Sequence, residues 1–327
     1  MLGYGSKKSQ SYTTKTQVSF PTRITYLLLK LKQKPQWILV FLFARYASVR
    51  RFHRYLQLKN NNYFPKSSSL FSKLDVQEAV EALNRDGIFN KIALPQTILQ
   101  EILDFAHSQP CYGGGETHLG FRIEAKKELD AAYSKPFFVA RYYNVSSLSA
   151  IKKLSQDQKI KQIAAAYIGK NAKYTGASLY WTFPIADSSQ DANLLSFCEY
   201  HYDLDDFASV RFCFYLTKVT EDSGSHYCII GSHRKRRLLY DLNYLSRRPP
   251  EQGLKDFYGE DKIISITGKA GSGFIEDTFC YHRGSVPKSN PRLFLQLHFA
   301  ANNYNHTGHH DYRSLSELKS FSQLQSN

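Results

Sequence analysis

The run Arg292-Leu293-Phe294-Leu295-Gln296-Leu297-His298-Phe299 is short and apolar, and it reads as a β-strand. It is the last of seven short apolar or aromatic runs, at 172–183, 194–202, 209–217, 226–230, 262–267, 273–277 and 292–300, separated by clusters of Gly, Pro, Asp and Ser. Upstream the pattern is helical. Asp75 is placed to cap a helix over Val76–Asn84, with Glu78 in capping-box spacing and Asp86-Gly87 as the stop. Pro95–Ala106 and Gln156–Ile168 read as further helices, with Pro95 in a first turn. Gly113-Gly114-Gly115 reads as a flexible loop, and no lysine-serine/threonine pair follows it to make a phosphate-binding loop. Helices followed by strands predict an α+β chain, mainly β, whose second half is a sandwich or barrel.

The 327 residues suit one to two domains. The 23 Tyr and 22 Phe favour strands and aromatic-lined pockets over a helical bundle. Charge is unevenly spread. Residues 1–74 carry 14 Lys or Arg and no Asp or Glu, whereas the remaining 253 carry 29 bases and 28 acids. The basic balance therefore belongs to an N-terminal extension, and the nearly neutral remainder argues against a nucleic-acid partner. The five cysteines are odd in number and lack C-x-x-C spacing, which reads as buried thiols in a reducing compartment.

Within the extension, Trp37–Ala44 is strongly apolar and flanked by Lys and Arg, but it is too short for a bilayer span of about 20 residues. A helix is expected from Gln36 to Leu58, with Ile38, Leu42, Tyr46, Val49, Phe52 and Leu56 near one face and Arg50, Arg51 and Arg54 directed elsewhere. Three readings stand: a helix docked on the main domain, peripheral contact of residues 22–58 with an anionic membrane, or a transit peptide. Lys59–Ser72 reads as a linker, and folded sequence is expected to begin at Leu74. The expected division is 1–73 for the basic extension, 74–305 for the main domain and 306–327 for a tail.

His201-Tyr202-Asp203 ends the expected strand 194–202. In an extended chain residues i and i+2 point to one side, so an imidazole and a carboxylate can converge. His282, after Phe274–Tyr281 and before Gly284, is the best third ligand. Two histidines and one carboxylate on one face leave coordination positions open, the facial arrangement of non-haem iron(II) oxygenases. Arg292, ten residues beyond His282, can grip a carboxylate bidentately.

These motifs resemble the phytanoyl-CoA dioxygenase family of Fe(II)/2-oxoglutarate oxygenases over residues 75 to 304. The resemblance is carried by Leu83–Gly87 with Ile92–Pro95, His201–Leu204, Phe214–Gly224, Ile229–His233, and His282-Arg283-Gly284 through Arg292. Ser223 and Ile230 depart from the family's usual Asn and Pro. The resemblance implies a double-stranded β-helix, a cupin-like jelly roll with flanking helices. It implies Fe(II) held by His201, Asp203 and His282, 2-oxoglutarate held by Arg292 with Arg141 as a second basic contact, and O₂ as oxidant. Hydroxylation of a small organic or lipid-like substrate follows, in the cytoplasm or at the membrane periphery. The carboxylate at Asp203 argues against a halogenase. Alternatives are a non-catalytic metal-containing barrel that binds a sugar or lipid, and a membrane-surface oxygenase acting on a lipid or lipid-linked glycan. His306, His309 and His310 read as a solvated tail, and His233 as structural.

Overall fold

The computed structural model describes Lys32 and residues 35–58, 68–132, 137–185, 197–243, 247–304 and 312–320. The strand at 292–300 shows how the sequence makes the core. Strand β11 (Arg292–Ala300) alternates: Leu293, Leu295, Leu297 and Phe299 join the large cluster beneath the helices, while Phe294 joins a second cluster inside the barrel. Two apolar faces on one strand require apolar matter on both sides of the sheet, which explains the nearly continuous apolar run.

Strands β5 (Lys173–Thr182) and β6 (Ser209–Tyr215) flank β11 antiparallel, and β9 (Ser272–Asp277) pairs with β6. Strand β1 (Ile88–Ala93) extends the sheet beside β9, and β4 (Val139–Arg141), β2 (Cys111–Gly113) and β3 (Gly120–Phe121) extend it beyond β5. A second sheet joins β10 (His282–Gly284), β7 (His226–Ile229) and β8 (Ile263–Ile266), and His201 bridges onto β10 at His282. Count β5, the His201 segment, β6, β7, β8, β9, β10 and β11 as first to eighth. One sheet then runs sixth, third, eighth, first, and the other second, seventh, fourth, fifth. Two antiparallel sheets interleaved in this way are a double-stranded β-helix, the jelly-roll architecture expected.

Helices α3 (Val76–Asp86), α4 (Gln96–Ser108), α6 (Ser149–Gln156) and α7 (Gln158–Ile168) pack their apolar residues on the outer face of the large sheet. Asp75 caps α3 by accepting from the Glu78 N–H, and Gly87 closes it at φ 78°. A Cβ at Gly87 would stand 2.3 Å from Cys280 Sγ, so the stop is also a packing requirement. The expected helix 156–168 starts later because Asp157 caps α7, accepting from Lys159 and Ile160 N–H. The same carboxylate accepts from Leu70 N–H and Ser69 Oγ, and Phe71 enters the main core, so packing begins before Leu74. Helix α5 is Lys126–Ala132.

Two expectations need correcting. The helix over 36–58 is two helices, α1 (Trp37–Phe43) and α2 (Ala47–Leu58). Arg45 sits at the break, where its guanidinium donates to the Phe41 carbonyl, which its own N–H would take in a continuous helix. It also donates to the Asp241 and Asn243 carbonyls, tying the break to α8 (Leu238–Asp241). Residues 194–202 do not form a regular strand: 194–196 lie outside the described residues, 197–198 are helical, and only His201 makes a bridge. Phe197 is drawn away by packing, since its ring lies where a Cβ on Gly284 would be. The histidines 306, 309 and 310 also lie outside the described residues.

A third cluster joins Trp37 and Val40 of α1 and the following Ala44 to Tyr202, Ile229 and Tyr281, and to Leu254 of α9 (Glu251–Tyr258). No helix among the described residues is long and apolar enough to cross a membrane.

Candidate metal centre

His201 and His282 face each other across a two-way backbone pair: His201 N–H donates to the His282 carbonyl at 2.9 Å, and the return bond is 2.8 Å. That register sets their rings 4.6 Å apart. Asp203 N–H donates to the Thr278 carbonyl at 2.8 Å, which fixes the carboxylate on the same side. One ligand atom from each of His201, Asp203 and His282 lies within 4.8 Å of the others.

Each imidazole is oriented by its own chain two residues back. His201 Nδ1 lies 2.9 Å from the Glu199 carbonyl and His282 Nδ1 lies 3.0 Å from the Cys280 carbonyl. A carbonyl accepts only, so each Nδ1 carries the proton and each Nε2 presents a lone pair. That is how second-shell bonds fix metal-ligating histidines. Burial, followed by the neighbouring His282, lowers the His201 imidazole to about 3, so it stays neutral at pH 7. Burial would raise the Asp203 carboxyl, but Arg211 overcomes it and holds the acid well below the usual carboxylate range.

Three partners of this centre lay beyond the motifs. Arg211 on β6 reaches Asp203 Oδ2 at 2.5 Å and Asp205 Oδ2 at 3.1 Å. His226 on β7 stacks on His282 with centroids 5.4 Å apart, and its Nε2 lies 3.1 Å from Glu276 Oε2. Glu276 Oε1 is 4.0 Å from His282 Nδ1. Burial would raise the Glu276 carboxyl, but His226 and His282 bring it down to about 2. Burial lowers the His226 imidazole against the pull of Glu276. The pair backs His282 with a buried charge. The only sequence signal was alternation, which puts Arg211 with Cys213 and Tyr215 on the inward face of β6.

Arg292 opens β11 and is 1% exposed. Its Nη1 donates to the Gly224 carbonyl, while Nε and Nη2 are buried and meet no hydrogen-bond partner among the described residues. Its guanidinium lies 4.8 Å from the Phe294 ring centre and 5.6 Å from that of Phe197. Arg141, by contrast, is exposed on β4, with its guanidinium 5.6 Å from the Tyr180 ring centre. Burial raises the Tyr180 phenol, against the lowering effect of Arg292 and Arg141. Asp206 is structural: it accepts from Phe207 and Asn302, and burial pushes its carboxyl up to about 6. His233 packs against Cys280, and its carbonyl accepts from Arg50.

Fold and side chains together define a jelly-roll barrel with a two-histidine, one-carboxylate constellation whose geometry could hold a metal ion. No family model and no curated protein matches the chain. Among solved structures, the non-heme alpha ketoglutarate dependent epimerase SnoN from nogalamycin biosynthesis is 15% identical, covering 69% of this chain and 82% of its own, at TM-score 0.46. The non-heme alpha ketoglutarate dependent carbocyclase SnoK from nogalamycin biosynthesis is 13% identical over 72% of this chain and 87% of its own, at TM-score 0.45. EctD from S. alaskensis, with bound Fe, is 16% identical over 72% and 82%, at TM-score 0.47.

Proposed function

We propose that the chain is an Fe(II)- and 2-oxoglutarate-dependent oxygenase, of the phytanoyl-CoA dioxygenase kind its motifs resemble, that hydroxylates a small organic or lipid-like substrate. One observation carries the reading: two imidazoles tied at Nδ1 present free Nε2 atoms beside Asp203, in the same barrel as the part-unpartnered guanidinium of Arg292. Neutral imidazoles and a carboxylate with open positions suit iron(II). A buried guanidinium with two idle donors costs stability unless an anion meets it, and a planar carboxylate fits its fork.

When bound, iron(II) with 2-oxoglutarate and O₂ supplies an oxidant able to hydroxylate a C–H bond, with release of succinate and CO₂. The chain's own groups prepare for this. His201, Asp203 and His282 would hold the iron, with Asp203 lowering the net charge of the site. Arg211 balances the Asp203 charge and fixes its orientation. Arg292 would take the far carboxylate of the dicarboxylic acid, and Phe197, Phe294 and Tyr180 keep water from that pair. Arg141, exposed on β4, is proposed as a second basic contact to the same acid.

Iron-dependent conversion of 2-oxoglutarate to succinate tests the reading. Asp203→Ala should abolish this turnover and weaken iron binding; retention of both would remove Asp203 from the site and the oxygenase reading with it.

A further inference from the structure

Helix α2 is turned inside out. Its Arg50 is 5% exposed, whereas Phe52, Tyr55 and Leu56 are 64%, 62% and 52% exposed. The arginines are the residues that anchor it: Arg50 donates to the carbonyls of Ala44, Arg45 and His233, and Arg54 to that of Tyr167. A helix that is anchored through Arg50 and Arg54 on main-chain carbonyls and leaves Phe52, Tyr55 and Leu56 in solvent gains nothing from those side chains in the folded monomer.

The adjoining elements repeat the pattern. Leu238, Leu239 and Leu242, in and just after α8, are 62%, 68% and 52% exposed, and Arg45 joins α8 to the α1–α2 break. Between α2 and α8 runs the turn after β7. There a cleft of about 390 Å³ is lined by Arg51, Arg85, Arg234, Lys235 and Lys262, with Asp86, the one acid, paired to Arg85. Residues 1–34 add seven Lys or Arg and no acid.

We propose that α2, α8 and the turn between them form a docking face for an anionic lipid bilayer. Phe52, Leu56 and Leu239 enter the acyl boundary, and Arg51, Arg234 and Lys235 meet lipid phosphates. Apolar side chains beside concentrated positive charge match a lipid surface on both counts. A second copy of the chain would set like charges together, and a soluble polyanion would leave the apolar residues in water. The inference does not depend on the oxygenase reading.

Flotation of the full chain with vesicles provides the test. Binding is expected to phosphatidylcholine vesicles containing phosphatidylglycerol, to fall with added salt, and to be absent with phosphatidylcholine alone. The variant F52S/L56S/L239S should weaken binding about tenfold or more, with melting temperature and succinate formation unchanged. The variant R51S/R234S should weaken it as well and lower its salt dependence. The inference fails if the wild type does not bind anionic vesicles at low salt, or if F52S/L56S/L239S binds as well as wild type. It also fails if light scattering finds a dimer that this variant dissolves, or if inorganic phosphate stabilises the chain while vesicles do not bind. Loss of succinate formation in Asp203→Ala with vesicle binding intact would leave the inference standing.

Discussion

The buried arginines of the N-terminal helices and Arg292 of the barrel are treated in opposite ways. Arg45 and Arg50, in the N-terminal helices, are 0% and 5% exposed and spend their donors on the carbonyls of Phe41, Asp241, Asn243, Ala44, Arg45 and His233. Arg292, in the barrel, is 1% exposed and leaves Nε and Nη2 without a partner among the described residues. A guanidinium saturated by main-chain oxygens acts as a staple. One held against aromatic rings with idle donors is suited to receive an anion, the role proposed for Arg292.

Substituting the two kinds of arginine should therefore have opposite consequences. Arg292→Leu removes the receptor. The 2-oxoglutarate requirement should rise on the order of a thousandfold, about 4 kcal/mol, with unfolding unchanged or slightly harder. Iron affinity should hardly move. Steady-state succinate formation and thermal melts read both quantities, and an unchanged 2-oxoglutarate requirement would remove the distinction. Arg50→Met removes the staple and strands three carbonyls. Unfolding stability should fall by about 3 kcal/mol while the 2-oxoglutarate requirement of the folded fraction holds. A loss of cosubstrate affinity equal to that of Arg292→Leu would show that the two regions are not separate.

Acid should sharpen the contrast more gently. Glu276 has a folded value near 2, below its usual 4.5, so its stabilisation is complete above about pH 4.5 and disappears as pH falls toward 2. His201 acts in the same direction: the unfolded chain protonates it below 6.5 while the folded chain keeps it neutral to about 3. The metal-free protein should thus lose about 1.4 kcal/mol per pH unit per group on acidification through these ranges. Glu276→Gln should flatten the lower part of that slope in denaturant titrations at stepped pH, and an unaltered slope would rule Glu276 out as its source.

Much of the barrel was legible because strand periodicity is local. The runs at 172–183, 209–217, 226–230, 262–267, 273–277 and 292–300 are β5, β6, β7, β8, β9 and β11 within a few residues. The convergence of the candidate site residues was legible because H-x-D places two donors on one side of an extended segment, and His282 and Arg292 fall at a family-like offset. Residues whose roles arise from register between distant strands were not legible. Arg211 meets Asp203, and His226 meets Glu276, only because β6 and β9 of one sheet face the His201 segment and β7 of the other. Short strands such as β2, β3 and β4 carry too little pattern to be seen. Helix α2 shows the limit of amphipathic reasoning: its periodicity was correct, but which face turned inward was decided by carbonyls that only the fold supplies.

The His201, Asp203 and His282 centre and Arg292 are proposed to act on one ligand. Calorimetric titration of 2-oxoglutarate into the full chain loaded with Mn(II), which binds without turnover, tests it most directly. The account predicts saturable binding that needs the metal and is lost in Arg292→Leu. Binding that persists without metal, or that Arg292→Leu leaves intact, would contradict it.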